Sequence, residues 1–287
     1  MFSFGFLLWL ISLPVLATTE MSSNIYEIDL AQDAQNVNLI LLTNGKVVKM
    51  PNEKSDLLES LIESKKSQQT YHFIIDEDRF IIEAKPIPSP IQLNLNQSAE
   101  PINTFTYVPT TIASMDVARR YFQEARYNPK ESQCFNRAMV WTYEWWRRHS
   151  LKSNKILIYF TRSFIRRYDF DWWFHIAPYV HVMDNGTVVE RVLDVKYGHG
   201  PLEFRKWTNL FTKRSPECPI VTKFSDYADY PFTGDCFIQR TNMYTYQPAD
   251  LQMNEAWNYV KEDFILDEVK QAYLEAFNEV ASKSIGE

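Results

Sequence analysis

Apolar residues recur along this chain with two periods, and the changes of period mark its elements. Residues 38–43 and 46–50 read as two strands, joined at Asn44-Gly45, a pair suited to a tight hairpin turn. In residues 55–66 the positions of Leu57, Leu58, Leu61 and Ile62 take helical spacing. Residues 71–75 and 80–82 form a second pair of strands. The pattern then stops at Lys85-Pro86-Ile87-Pro88-Ser89-Pro90 and the polar stretch behind it, because alternating prolines support neither helix nor interior strand.

The pattern resumes with a helix from Ser114 to about residue 126, with Ser114 placed to cap it. A second helix is expected over residues 133–149 and a strand over 155–161. Residues 172–183 and 187–194 read as strands joined by Asp184-Asn185-Gly186-Thr187, a strong hairpin signal. Helices are expected at 202–211 and, with charged faces, at 254–282. There is no internal repeat.

Composition divides the chain in the same place. Residues 18–110 carry thirteen acids and seven bases, with no Cys and no Trp. Residues 111–287 carry 23 of each sign, all three Cys and seven of the eight Trp. Two units are therefore expected in the 287 residues. A hydrophobic content of 45% supports a substantial core, and seven glycines argue against a Gly-rich phosphate loop. The net charge of −6 and the lack of a basic stretch argue against nucleic acid as partner. Residues 1–17 are apolar and uncharged and end in Val15-Leu16-Ala17, which reads as a signal peptide for export. No later stretch approaches the ~20 apolar residues of a membrane span.

Three cysteines in an exported chain leave at least one unpaired. Cys218 and Cys236 share a Pro/Asp/Gly-bearing stretch at a spacing that permits a bridge, which would make Cys134 the odd thiol. A free Cys is most often a small buried apolar residue. Cys134, however, falls at the start of a predicted helix, where unsatisfied N–H groups and a partial positive charge stabilise the reactive thiolate.

A nucleophilic thiol needs a base and a group to orient it. The two-residue turn pairs Asp184 with Thr187, so paired numbers sum to 371 and Asp194 stands opposite Ala177. His175 shares the face of Ala177, which makes His175 and Asp194 diagonal neighbours. The other face, with Ile176, Val180, Val182, Val189 and Leu193, reads as core, and the His175 face as the more polar one. The same register sets His181 opposite Glu190, a rival dyad nearer the turn. His199 lies in a loop, and His149 ends a helix beside two arginines.

The blocks Cys134-Phe135-Asn136-Arg137-Ala138, Trp172-Trp173-Phe174-His175-Ile176-Ala177-Pro178 and Arg191-Val192-Leu193-Asp194 resemble those of the secreted bacterial protein-glutaminases. Gly234-Asp235-Cys236 and the run from Met243 to Leu251 are similar to the broader family. The resemblance implies an α+β fold of the papain/transglutaminase type, with an antiparallel sheet and the nucleophile at a helix N-terminus. It implies Cys134 as nucleophile, His175 as base and Asp194 as orienter, with no cofactor and no metal. It implies an inhibitory pro-region at 18–84, a linker at 85–110 and a catalytic domain at 111–287. The substrate implied is glutamine in proteins or peptides, and the location outside the cytoplasm or in the periplasm. Trp172 and Trp173 flank the base and are candidates for the substrate entrance, although such aromatics are more often core. A transglutaminase or a cysteine peptidase would share the triad, and a catalytically silent protein-binding module would share the fold.

Overall fold

The computed structural model describes residues 17–31, 36–88, 107–125, 132–212, 217–229, 234–257 and 260–278. The expected signal peptide and most of the expected linker lie outside these residues. The chain divides into two compact units, Met1–Leu42 with Val48–Pro90, and Thr43–Val47 with Ile91–Glu287.

The first unit is α+β. Its strands are β1 (Thr19–Ser23), β2 (Ile25–Asp29), β3 (Val37–Leu42), β4 (Val47–Pro51), β5 (Tyr71–Ile75) and β6 (Ile81–Pro86), with helix α1 (Ser55–Ser67). They form two three-stranded sheets in the orders β1-β5-β6 and β2-β3-β4. Leu61 of α1 is buried with Ile40, Leu42, Phe73, Ile75 and Ile81, and Leu57 and Leu58 pack against them, as the helical spacing requires. Strand β6 runs on to Pro86, past the expected start of the linker. Proline is tolerated there because β6 is the last strand of its sheet.

The second unit is built on β7 (Thr111–Ile112), α2 (Met115–Glu124), α3 (Cys134–His149), β8 (Asn154–Phe160), α4 (Arg162–Tyr168), β9 (Phe174–Asp184) and β10 (Thr187–Val192). It continues with α5 (Phe204–Thr208), β11 (Ile220–Val221), α6 (Phe224–Asp229), β12 (Cys236–Asn242), α7 (Pro248–Trp257) and α8 (Leu266–Phe277). The sheet runs β10-β9-β8-β12-β11, antiparallel except at β11, with β7 alongside β9 in parallel. Every residue of β8 is buried, as expected of a central strand covered on both faces. Ser114 caps α2, its hydroxyl accepting from the Val117 N–H. Val180, Val182 and Leu193 pack with Ala118 of α2 and Trp141 and Trp145 of α3, which is the core face expected from the hairpin.

Four expectations change. The helix expected over 254–282 is two helices, with 260–265 between them irregular. In that segment Phe264 packs against Tyr143, Trp146 and Tyr244, while the Lys261 ammonium meets Asp250 and Glu268. The strand expected to reach Asp194 stops at Val192, where the chain turns and Gly198 N–H donates to the Asp194 carbonyl. The helix expected over 202–211 is confined to Phe204–Thr208. Strand β12, unassigned from the sequence, fills the sheet beside β8.

The segment Thr43–Val47 is hydrogen-bonded within the second unit. Trp173 N–H donates to the Gly45 carbonyl, and Val47 N–H to that of Asp171. Gly45 has φ +89° and lies so close to the Phe174 ring that a Cβ would come within 3.0 Å of it, so both backbone and space call for glycine.

Candidate active site

Helix α3 begins at Cys134 itself, behind an extended Gln133 that offers no side-chain cap. The first N–H groups of the helix have no intrahelical partners, and its first turn holds no acidic residue to oppose a thiolate. That turn is anchored on the residues behind it. Phe135 packs against the rings of Phe174 and Tyr246. Asn136, fully buried, accepts from the Tyr246 hydroxyl and donates to Glu275 of α8. Cys134 remains half-buried and is the free cysteine, while Cys218 and Cys236 are joined in a disulfide.

His175 projects from β9, where it stands opposite Ile158 of β8. The β9–β10 ladder pairs Thr187 with Asp184 through to Val192 with Tyr179, every pair summing to 371. Asp194 comes just after the ladder ends, and Leu193 N–H still donates to the Pro178 carbonyl. This holds the carboxylate beside the imidazole, with the His175 Nε2–H donating to Asp194 Oδ2 over 2.7 Å. Nε2 is thus occupied, and Nδ1 is the ring nitrogen that remains for the Cys134 thiol, whose titration His175 influences. Cys134 is half-buried, whereas His175 and Asp194 are fully buried.

The electrostatics follow from burial and alternating charge. Burial pushes the Cys134 thiol up, but the hydrogen bond and charge of His175, the Arg137 charge and the Ile176 N–H outweigh it and hold it below its ordinary value. Burial pushes the His175 imidazolium down, yet the charge and hydrogen bond of Asp194, together with Cys134, raise it to about 9. Burial pushes Asp194 up, while His175, the Trp207 N–H and Arg137 hold it below the usual carboxylate value. Such opposed shifts in neighbouring groups make these three residues the candidate acid–base site.

The face of the hairpin that carries His175 differs from its expected polar character. It is lined with rings: Tyr197, Trp207 and Phe211 have centroids 5.2, 5.8 and 4.9 Å from that of His175. Trp207 Nε1–H donates to Asp194 Oδ2 at 2.9 Å. Neither Trp207 nor Arg137 received a role from sequence. The one signal for Trp207 was a large apolar residue in the short polar run Glu203–Asn209, and nothing local ties that run to Asp194. Trp172 is half-buried and packs over His175, with centroids 5.9 Å apart. Trp173 is fully buried against Tyr159, so it belongs to the core and not to an entrance.

The rival histidines lie elsewhere. His181 faces Glu190 as the register requires, but at 3.7 Å and partly exposed, and Arg240 takes the other oxygen of Glu190. His149 pairs with Glu124 at the end of α3, and His199 is exposed. Among the described residues no group of His, Cys, Asp and Glu is placed to hold a metal, and no helix is long and apolar enough to cross a membrane.

Residues 104–211, which contain Cys134, His175 and Asp194, match a family model described as glutaminase. No curated protein matches the chain. Among solved structures, the crystal structure of pro-protein-glutaminase is similar with a TM-score of 0.53 at 13% identity, over 93% of this chain and 96% of that one. A mutant of pro-protein-glutaminase is similar with a TM-score of 0.55 at 12% identity, over 92% and 94% of the two chains. A segment of this chain thus matches the glutaminase family model, and its α+β fold is similar to that of pro-protein-glutaminase.

Proposed function

We propose that the protein is a protein-glutamine glutaminase, converting glutamine side chains of proteins to glutamate with release of ammonia. The observation that carries this reading is the hydrogen-bonded line Cys134–His175–Asp194 at the start of α3, inside the segment that matches the glutaminase family. In the proposed reaction the Cys134 thiolate attacks the carboxamide carbon, forming a C–S bond. His175 gives its proton to the leaving nitrogen, which departs as ammonia as the C–N bond breaks. Water, deprotonated by His175, then attacks the thioester, so that the carbon gains a hydroxyl and the thiolate is restored. Asp194 keeps the imidazole in the tautomer that faces the thiol. Helix N–H groups at Cys134 are suited to the oxyanion. Trp172, packed over His175 and half-buried, is proposed as part of the substrate entrance.

The N-terminal unit is proposed as an inhibitory pro-region, with 85–110 as the linker to the catalytic domain at 111–287. Support comes from the break in charge and composition between residues 18–110 and 111–287 and from the proline run at residues 86–90. Export is supported by the apolar leader and by the Cys218–Cys236 disulfide, which persists in oxidising compartments.

The test is intact-mass analysis of a glutamine-rich protein after incubation, with ammonia measured in parallel. A gain of about one dalton per modified glutamine is expected, the amide-to-acid change of acyl transfer to water. Cys134→Ala should abolish it while the protein stays folded. Backbone fragments would replace this reading with a peptidase, and lysine cross-links with a transglutaminase.

A further inference from the structure

Asp194 is buried to 1% exposure, and a buried carboxylate needs each of its oxygens supplied with donors. Its Oδ2 receives two: His175 Nε2–H at 2.7 Å and Trp207 Nε1–H at 2.9 Å. Indole is a donor only, so this bond can form with the carboxylate or with a carbonyl-like oxygen but never with a protonated Oδ2 acting as donor. Trp207 is itself fully buried, and its ring packs against His175 and Phe211. It reaches this position from α5, a helix of five residues set by the Val192–Leu202 backbone bonds that close the loop behind Asp194.

We propose that Trp207 is a positioning residue of the site, fixing Asp194 as a carboxylate aimed at His175 and thereby holding the imidazolium–thiolate pair. The proposal rests on the reading of Cys134, His175 and Asp194 as one reacting unit. Two donors converging on one oxygen restrict the carboxylate more than one can, since rotation towards either donor stretches the other bond. The rings of Tyr197, Trp207 and Phe211 around His175 keep water from competing for the same oxygen. Arg137 of α3 adds its charge to Asp194 and Cys134, so the groups that set the titration of the unit are Cys134, His175, Asp194 and Arg137, with the rings of Tyr197 and Trp207 packed beside His175.

The experiment follows alkylation of Cys134 by iodoacetamide against pH in the full chain, a readout that needs no substrate. Trp207→Phe keeps a ring and deletes the N–H. The midpoint for thiolate formation should rise by about one pH unit, about a tenfold loss of thiolate at a fixed acidic pH. In an Asp194→Asn background the same substitution should add no further shift, because Trp207 acts through the carboxylate. An unchanged midpoint, or an equal shift in both backgrounds, would overturn the proposal in favour of packing alone. Should Trp207→Phe fail to fold, the unaltered chain decides. A proton NMR contact between the Trp207 indole N–H and the His175 Nε2–H supports the proposal, and its absence overturns it. A shifted alkylation profile without any ammonia release would sink the glutaminase reading and leave this inference standing.

Discussion

Replacing Asp194 by Asn keeps the side-chain volume and removes one charge. Its single carbonyl oxygen must then serve both His175 and Trp207, which donate to the same oxygen at 2.7 and 2.9 Å. The amide nitrogen cannot accept from either. His175 is fully buried, and burial alone pushes its imidazolium below the ordinary value of 6.5; Asp194 is the largest of the influences that raise it to about 9. Without that charge the imidazolium should titrate at or below 6.5, a change of two to three pH units. This corresponds to about 4 kcal/mol as a ceiling, because Cys134 supplies part of the upward shift. The imidazole tautomer is also less firmly fixed, because one neutral carbonyl oxygen is shared by two donors and the amide NH2 can donate to the ring instead. The two losses together predict a fall in kcat of roughly 10²- to 10⁴-fold. KM should change little, since Asp194 is buried away from any surface that meets substrate.

The pH dependence gives the sign. In the unaltered protein His175 stays protonated until the pH rises through about 9, which sets the alkaline limb. The stability gained from this raised value is fully present below 6.5 and is lost as pH rises through about 9. Asp194 works in the opposite sense, its contribution present above the ordinary carboxylate value and lost as pH falls through its depressed one. The Asn variant should therefore be destabilised most between these two transitions, and its alkaline limb should move down by two units or more. Ammonia release and thermal melts recorded from pH 5 to 10 would check both. Wild-type kcat in the variant, with an alkaline limb still near 9, would refute the electrostatic reasoning.

Arg137→Gln should raise the Cys134 thiol, because the guanidinium charge favours the thiolate; the acid limb of alkylation moves to higher pH, and a profile that does not move would exclude this role. Lys155→Met should raise the melting temperature, because burial pushes this ammonium, bonded to the Thr245 carbonyl, down to about 7. Unfolded Lys holds its proton up to about 10, so the native chain gains stability as pH rises between those values, and the benefit of Met should be larger at pH 6 than at pH 9. Replacing Cys218 and Cys236 by Ala opens a loop of sequence separation 18, and denaturant melts should lose roughly 3 kcal/mol on the chain-entropy view.

The hairpin was legible because its turn sets its register. Asn185-Gly186 takes positive φ at both residues, so a single pairing number follows for the whole ladder. That number alone sets His175 and Asp194 on one face, although Asp194 is reached by a turn after Val192 and not by the strand itself. Helix α3 was legible for a similar reason, its apolar rows being long and its start lacking any competing element. The partners of the line were not legible. Strand β12 reads CFIQRTN, short and mixed, and becomes a strand through its pairing with β8 some eighty residues earlier in the chain. Trp207 lies on a five-residue helix whose position is set by the Val192–Leu202 closure, a contact that no local period encodes. The break between α7 and α8 was hidden because charged positions continue with helical spacing through it, while Phe264 and Lys261 are bound by tertiary partners.

The buried line can persist in so apolar a setting because its charges alternate. In the proposed ion-paired form, a thiolate at Cys134, an imidazolium at His175, a carboxylate at Asp194 and the Arg137 guanidinium sum to zero, and Arg137 acts favourably on both anions. Neutral donors fill what remains: the Ile176 N–H towards the sulfur and the Trp207 N–H towards the carboxylate. Neutrality of the set makes its members interdependent. Removing one charge leaves its neighbour buried and uncompensated, which costs more than the pair contributed to stability. The same interdependence explains why the thiol can sit at a helix start that is only half-buried while its partners are sealed under rings. In the proposed reaction, exposure is needed where substrate would arrive, and exclusion of water is needed where the field that lowers the thiol is made. The fold meets both demands by placing Cys134 on the first turn of α3 and Asp194 in a closed loop behind β10, with His175 on β9 spanning the distance between them.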